Sequence, residues 1–357
     1  MKYLFIVQGE GRGHLTQAMT MERMLDAHGH EVVGMLVGKS KSRILPDFFL
    51  KGVKAPVQQF ESVNFLPSAK NRKADMTRSI LYNLVTLPKY QKSVRFLMSA
   101  IKNSGADVVV NFYELLTGLT YLLYNIRIPQ ICIGHQYLFL HKDFNMPHHG
   151  FAGASALNFY SRLTAIGASR HLALSFRKMP DDPGHNIRVV PPLLRPEVLA
   201  STPSQGKYIH GYMLNAGFAS DVMKWHHMHP EVELRFFWDK WSEGPVKKYD
   251  DTLTFYTLDD KEFLKQMAGC MAYASTAGFE SICEAMYLGK PVLMVPSHVE
   301  QECNAYDATR YGAGIAAKEF DLSALLDFAG RFSPDPDFPA WARSAEEVII
   351  KELEMSV

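Results

Sequence analysis

Ser275, Thr276, Ala277 and Gly278 stand between an apolar run, Ala272-Tyr-Ala-Ser275, and a segment of helical character that begins at about Phe279. Side chains this small let a ligand approach the backbone. A helix starting directly after them directs its N–H groups and positive dipole end at the same place. That chemistry suits an anion, and a nucleoside diphosphate in particular. Glu280 and Glu284 are four residues apart and so share one helix face; Glu284, a turn beyond the phosphate end, is placed to accept hydrogen bonds from ribose hydroxyls. Gly289 and Pro291 end the helix, and the strand Val292-Leu-Met-Val295 runs to Pro296. The loop expected after it carries Glu300 and Gln301 at the carboxyl edge of a sheet, where open α/β folds bind ligands. The plain alternative is an ordinary strand-helix-strand unit with surface glutamates.

The amino terminus offers a second site. Tyr3-Leu-Phe-Ile-Val7 reads as a buried parallel strand, and it opens into Gly9-Glu-Gly-Arg-Gly13-His14. A helix is expected from about Leu15 to Ala27, with a second strand after Gly29. The third glycine comes too early for a dinucleotide fingerprint, and His14 sits where the helix begins, which argues against NAD. A histidine of ordinary pKa, about 6.5, suits taking a proton from a hydroxyl. A helix-cap histidine is the simpler reading.

The run Ser-x-x-Gly-x-x-Ser-x-x-Glu-Ala-x-x-x-Gly-x-Pro from Ser275, followed by Glu300-Gln-x-x-Asn-Ala305, resembles the donor signature of nucleotide-sugar glycosyltransferases of the GT-B fold. The likeness is greatest to the peptidoglycan lipid-intermediate N-acetylglucosaminyltransferases and the UDP-glucuronosyl/glucosyltransferases. The resemblance implies an α/β chain of two doubly wound, Rossmann-like domains facing a cleft, with the acceptor on the first domain and the nucleotide sugar on the second. It implies that Glu284 holds the ribose, that Ser275, Thr276, Ala277 and Gly278 face the diphosphate, and that Gln301 touches the donor sugar; Glu280 and Glu300 are further candidates for the donor site. Leu258 would meet the base, and the Asn215-Ala-Gly217 loop, with Gly13 of the first domain, would approach the donor closely. The glycine-histidine corner resembles the acceptor side of the same enzymes, which makes His14 the candidate general base. Many relatives carry a histidine where this chain has Ser275 or Thr276, so phosphate contacts here would come from hydroxyls and amides.

Ala106-Asp-Val-Val-Val-Asn111-Phe-Tyr113-Glu114 reads as a strand whose carboxyl end presents Asn111, Tyr113 and Glu114, and Ile128-Pro-Gln-Ile-Cys-Ile133 as another that leads to His135 and Gln136. Asn111, Tyr113, His135 and Gln136 are therefore acceptor-site candidates, or else residues that satisfy loop backbone. Several relatives pair the catalytic histidine with an aspartate near Asn111; with asparagine here, Glu114 is the available carboxylate. Retaining enzymes of the fold often carry two glutamates separated by seven residues, but counting back from Glu284 reaches Thr276, so inversion is expected.

No cofactor or metal is expected: neither His148-His149 nor His226-His227-Met-His229 has ligand partners at a characteristic spacing. A UDP-sugar 2-epimerase of the same fold is an alternative, but it would want an acidic residue where Tyr273-Ala274 stand. A non-catalytic nucleotide-sugar-binding protein is another.

The formal net charge of +1 gives no general pull toward nucleic acid, and the four cysteines include no Cys-x-x-Cys pair, as for reduced thiols. No leader or spanning segment is apparent, so a cytoplasmic location is expected, including the inner face of a membrane. Between Lys39 and Lys102, thirteen Lys or Arg residues face three acidic ones, interleaved with apolar side chains. Such a mixture suits an anionic membrane surface or an anionic lipid-linked acceptor, or it is a solvated basic face. Proline-rich punctuation divides the chain into residues 1–196, a linker at 197–206, a second domain at 207–338, and a terminal segment, 339–357. That segment reads as one amphipathic helix over 340–355, which the resemblance returns to the first domain.

Overall fold

The computed structural model describes residues 1–41, 44–63, 82, 85, 87–147, 151–214 and 216–355. Among these, one compact unit comprises residues up to 195 together with 340–355, and another comprises 196–339.

The first unit is built on a seven-stranded sheet of order β3-β2-β1-β4-β5-β6-β7. Its strands are β1 (Lys2–Gln8), β2 (Glu31–Lys39), β3 (Val57–Glu61), β4 (Val108–Phe112), β5 (Gln130–Gly134), β6 (Ala168–Leu174) and β7 (Ile187–Val190), all parallel. Every residue of β4 and β5 is buried, as required of strands covered on both faces. The first helix begins at Arg12 rather than near Leu15, because Gly11 is extended and serves as its cap residue; Gly13 and His14 thereby enter the first turn.

The carboxyl-terminal segment is two helices, Phe338–Arg343 and Ala345–Glu354, rather than one. At the break, Ser344 Oγ donates to the Trp341 carbonyl oxygen, a local side-chain bond that competes with helix continuation. Within the first unit, Ile349, Ile350 and Leu353 are buried, Arg170 pairs with Glu352, and His30 Nε2 lies 3.0 Å from Glu354 Oε1.

The second unit carries the sheet β10-β11-β9-β8-β12-β13-β14, formed by β8 (Tyr208–Tyr212), β9 (Glu233–Trp238), β10 (Val246–Lys248), β11 (Leu253–Thr257), β12 (Ala272–Ser275), β13 (Val292–Met294) and β14 (Gly314–Ala316). All pairs are parallel except the edge pair β10 and β11. Ile209, Leu234, Phe236, Trp238, Phe255, Leu293 and Phe320 belong to one apolar cluster on this sheet. Gly211 admits the Phe236 ring, which would lie 2.2 Å from a Cβ at that position. Residues 197–206, expected as a linker, lie within this unit. They include most of the short helix Pro196–Leu199, and the buried Lys290 ammonium donates to the carbonyl oxygens of Ser204 and Cys270.

Candidate functional sites

In each sheet the chain runs outward in both directions from a central pair of strands. Loops after that pair leave to opposite sides, and the crevice between them at the carboxyl ends is where open α/β sheets bind ligands. The pair is β1 and β4 in the first unit, and β8 and β12 in the second.

At the first switch point, His14 stacks on Tyr113, with ring centroids 5.6 Å apart and planes 25° from parallel. The imidazole is half-buried, and its Nδ1 lies 3.2 Å from Gln17 Oε1. With Nδ1–H donating to that amide oxygen, Nε2 presents its lone pair. Burial lowers the His14 pKa to about 4, opposed by the Gln17 bond, so the ring is neutral at physiological pH. Gly9 allows β1 to close on β2: its N–H donates to the Gly38 carbonyl oxygen at 2.7 Å, and a Cβ at position 9 would lie 2.9 Å from that oxygen.

Tyr113 adopts a left-handed backbone, with φ of 62°. Asn111 builds that turn. Its Nδ2 donates to the Glu114 and Thr164 carbonyl oxygens and its Oδ1 accepts from the Glu114 N–H, so this fully buried amide shapes the corner and is turned away from any acceptor. Tyr113 Oη is 2.7 Å from Ser161 Oγ. Glu114, proposed from sequence as a partner for His14, caps the helix Leu115–Leu123 instead: Oε1 accepts from Leu116 N–H and Ser62 Oγ–H. It has no solvent exposure, and its Oε2 fills the space that the missing side chain of Gly38 leaves. Gln17, three residues along the helix from His14, is the ring's partner.

Burial raises the Glu114 pKa to about 7, against the opposing bonds from Ser62 and Leu116. An acid with a raised folded pKa holds its proton longer folded than unfolded, so stability is full below pH 4.5 and falls as pH rises to about 7. That difference amounts to roughly 3 kcal/mol. Glu114→Gln is expected to abolish the slope across this window in urea unfolding at a series of pH values; an unchanged slope would assign the effect to another group.

His135 is also turned inward. It sits in the turn of 3-10 helix His135–Leu140, its Nδ1 is 2.6 Å from the Leu174 carbonyl oxygen, and its ring packs edge-on against Phe139 and Phe176. Burial lowers its pKa to about 3, making it a neutral core brace. Gln136 is buried beside it. Neither side chain is placed as a surface acceptor contact.

At the second switch point, Ser275 ends β12 and residues 276–278 follow it. Ala277 is left-handed with φ of 61°; its N–H donates to Ser275 Oγ at 3.1 Å and its carbonyl accepts from Asn304 Nδ2 at 3.0 Å. Ser275, Thr276 and Ala277 are buried, whereas Gly278 is partly exposed. The helix Phe279–Tyr287 starts there, and Gly278 as cap residue contributes no side-chain oxygen to its positive end. Glu280 is half-buried in the first turn and Glu284 is buried one turn on; both raise the pKa of the Cys283 thiol between them, behind burial as the main cause. Gly217 lies in the 3-10 helix Ala216–Phe218 after β8, on the other side of the switch point, while Asn215 falls outside the described residues. Leu258, half-buried, directly follows β11, and Asp259 after it caps the next helix through Glu262 N–H.

Glu300 and Gln301 lie in the first turn of the helix Val299–Arg310, not in a loop. Carboxylates favour a first turn, and Gln301 Oε1 accepts from Ser297 N–H and Oγ–H at 2.8 and 2.7 Å, which draws the preceding loop onto the helix start. His298 is the cap residue, with its pKa lowered to about 4 by burial. Sequence reasoning passed over Gln17, His298 and Asn304. The i, i+3 spacing from His14 was a usable signal for the first, and the Glu-Gln-x-x-Asn-Ala run for the last.

Among the described residues, no group of three His, Cys, Asp or Glu could hold a metal. His226 pairs with Asp250 and His229 stacks on Trp225, whereas His148 and His149 lie outside the described residues. No helix among the described residues is long and apolar enough to cross a membrane.

Comparison with solved structures places the chain among GT-B glycosyltransferases in fold. The glycosyltransferase of kitacinnamycin matches with a TM-score of 0.64 and 16% identity over 100% of this chain and 99% of that one. Medicago truncatula UGT71G1, complexed with UDP-glucose, matches at 0.61 and 14% over 99% and 98%. The spinosyn rhamnosyltransferase SpnG, complexed with thymidine diphosphate, matches at 0.59 and 15% over 99% and 100%. Comparison with curated proteins gave no match. The family model described as glycosyl transferase family 1 matches residues 1–333. The chain therefore belongs to glycosyl transferase family 1 and is an enzyme that transfers sugars.

Proposed function

We propose that the enzyme moves a sugar from a nucleoside diphosphate sugar, most naturally a UDP sugar, to an acceptor hydroxyl with inversion and without a metal. The observation that carries this reading is that each small-residue corner singled out in the sequence falls at the switch point of its own sheet. The solved relatives complexed with UDP-glucose and with thymidine diphosphate support a pyrimidine nucleotide on the second unit.

In the reaction proposed, the acceptor oxygen attacks the anomeric carbon from the face opposite the leaving group. Its proton passes to His14 Nε2 while the bond from the anomeric carbon to the diphosphate oxygen breaks. The departing diphosphate is met by the 275–278 loop and the positive end of the helix Phe279–Tyr287, whose dipole favours developing negative charge. Glu284 holds the ribose and the Gln301 amide nitrogen the sugar. A neutral His14 with Nδ1 committed to Gln17 is already in the tautomer that accepts a proton at Nε2.

A glycan or lipid-linked acceptor met at the inner face of a membrane fits the first unit's exposed Ile44 and Val85 and its exposed Lys41, Lys51, Lys54, Lys89, Lys92 and Arg95. Several of the basic and apolar residues that suggested this surface, including Arg43, Lys70, Arg72, Lys73 and Arg78, lie outside the described residues.

Thermal unfolding with a panel of UDP and TDP sugars tests the donor, because a ligand selective for the folded state raises the transition temperature. Product analysis with donor and EDTA, with and without acceptor, tests the reaction. Turnover of donor to an epimer without acceptor would replace this reading by the 2-epimerase. Binding without any turnover across acceptors would replace it by a nucleotide-sugar-binding role.

A further inference from the structure

We propose that Asn304 is a positioning residue for the diphosphate: by holding the peptide between Ala277 and Gly278, it aims the Gly278 N–H at the leaving group. This rests on the nucleotide-sugar reading above and names a residue for which that reading gives no role.

The backbone at Ala277 is in the left-handed region, which any residue with a Cβ disfavours, and it must be held there by its surroundings. Two bonds hold it. Ser275 Oγ takes the Ala277 N–H, and the fully buried Asn304 donates Nδ2–H to the Ala277 carbonyl oxygen at 3.0 Å. A trans peptide is planar with its carbonyl and the following N–H pointing in opposite directions. Fixing the Ala277 oxygen toward Asn304 therefore fixes the Gly278 N–H away from it. Gly278 is partly exposed where the three residues before it are buried, so it is the position of this run that solvent reaches.

Asn304 also sits one turn after Gln301 on the helix Val299–Arg310, and Gln301 ties the start of that helix to Ser297. Residues three apart lie on one helix face. The helix thus carries the sugar-side amide and the loop brace together, and the two ends of the donor site keep a common geometry.

Asn304→Leu separates the hydrogen bond from the packing, since a side chain of similar size fills the space but cannot donate to a carbonyl. The variant is expected to weaken UDP or TDP binding about tenfold by calorimetry and to raise donor KM by a similar factor, with acceptor KM unchanged. Hydrogen exchange at Ala277 and Gly278 should accelerate. Asn304→Ala should do the same, and adding Ala277→Gly, which removes the Cβ penalty of the left-handed backbone, should recover part of the affinity. A lower melting temperature with unchanged nucleotide affinity would reduce Asn304 to a core residue and overturn the proposal. If the unaltered enzyme bound neither UDP nor TDP, the nucleotide-sugar reading would fail and the proposal with it. The exchange measurement would then show whether Asn304 braces the loop at all.

Discussion

His14→Ala is expected to lower kcat by about a hundred- to ten-thousandfold, the range that a positioned general base contributes, while the Kd for UDP stays within about twofold. The separation follows from the fold. His14 belongs to the first unit and its ring is held by Gln17 and Tyr113, whereas the proposed diphosphate contacts come from residues 275–278 of the second. The pH profile carries independent information. A base works only unprotonated, and burial lowers the His14 pKa to about 4, so kcat/KM should stay level from pH 8 to about 5 and fall on the acid side with a midpoint near 4. Gln17→Leu removes the bond that favours the imidazolium and fixes the tautomer; it should lower kcat with little change in donor KM. Retention of transfer in His14→Ala would remove the histidine from the chemistry. An acid limb centred near 6.5 would show that the ring is not desolvated as described.

Glu284→Ala is expected to raise the Kd for UDP about a hundredfold, or roughly 3 kcal/mol, because a carboxylate accepting from both ribose hydroxyls makes charge-assisted bonds of about 1.5–3 kcal/mol each. Glu284→Gln keeps the shape with weaker acceptance and should fall between. Glu280→Ala, which removes the half-buried carboxylate of the same helix face, should change affinity by no more than a few-fold. Calorimetric titration of the three variants, each first checked for an unaltered unfolding transition, decides the matter. Equal effects at both positions would mean a general electrostatic influence of the helix end rather than a ribose contact.

What could be read from sequence depended on local causes. Tyr3 to Val7 is too uniformly apolar to be anything but a doubly covered strand, and it is β1; Phe279 begins the expected helix because Gly278 and the small residues before it leave no competing structure. Where reading and structure part, a nonlocal contact intervenes. Glu114 looks like an available carboxylate until Ser62, from the segment after β3, and the bare backbone of Gly38 in β2 give it a buried slot. Asn111 and His135 look like cleft residues until carbonyl oxygens of Thr164 and Leu174, 53 and 39 residues away, claim them. Gln301 is the local exception: Ser297, four residues before it, takes its side-chain oxygen.

By itself the sequence determined that this is a two-part α/β chain with two small-residue corners at strand-to-helix turns, since hydrophobic period, residue size and helix-end chemistry act over a few residues. Tertiary structure alone decided that each corner lies at the switch point of its sheet, that His14 stacks on Tyr113 rather than pairing with a carboxylate, and that Ala277 is locked left-handed by Asn304. Strand order and the pairing of buried polar groups depend on which distant segments pack together, and no local preference encodes that.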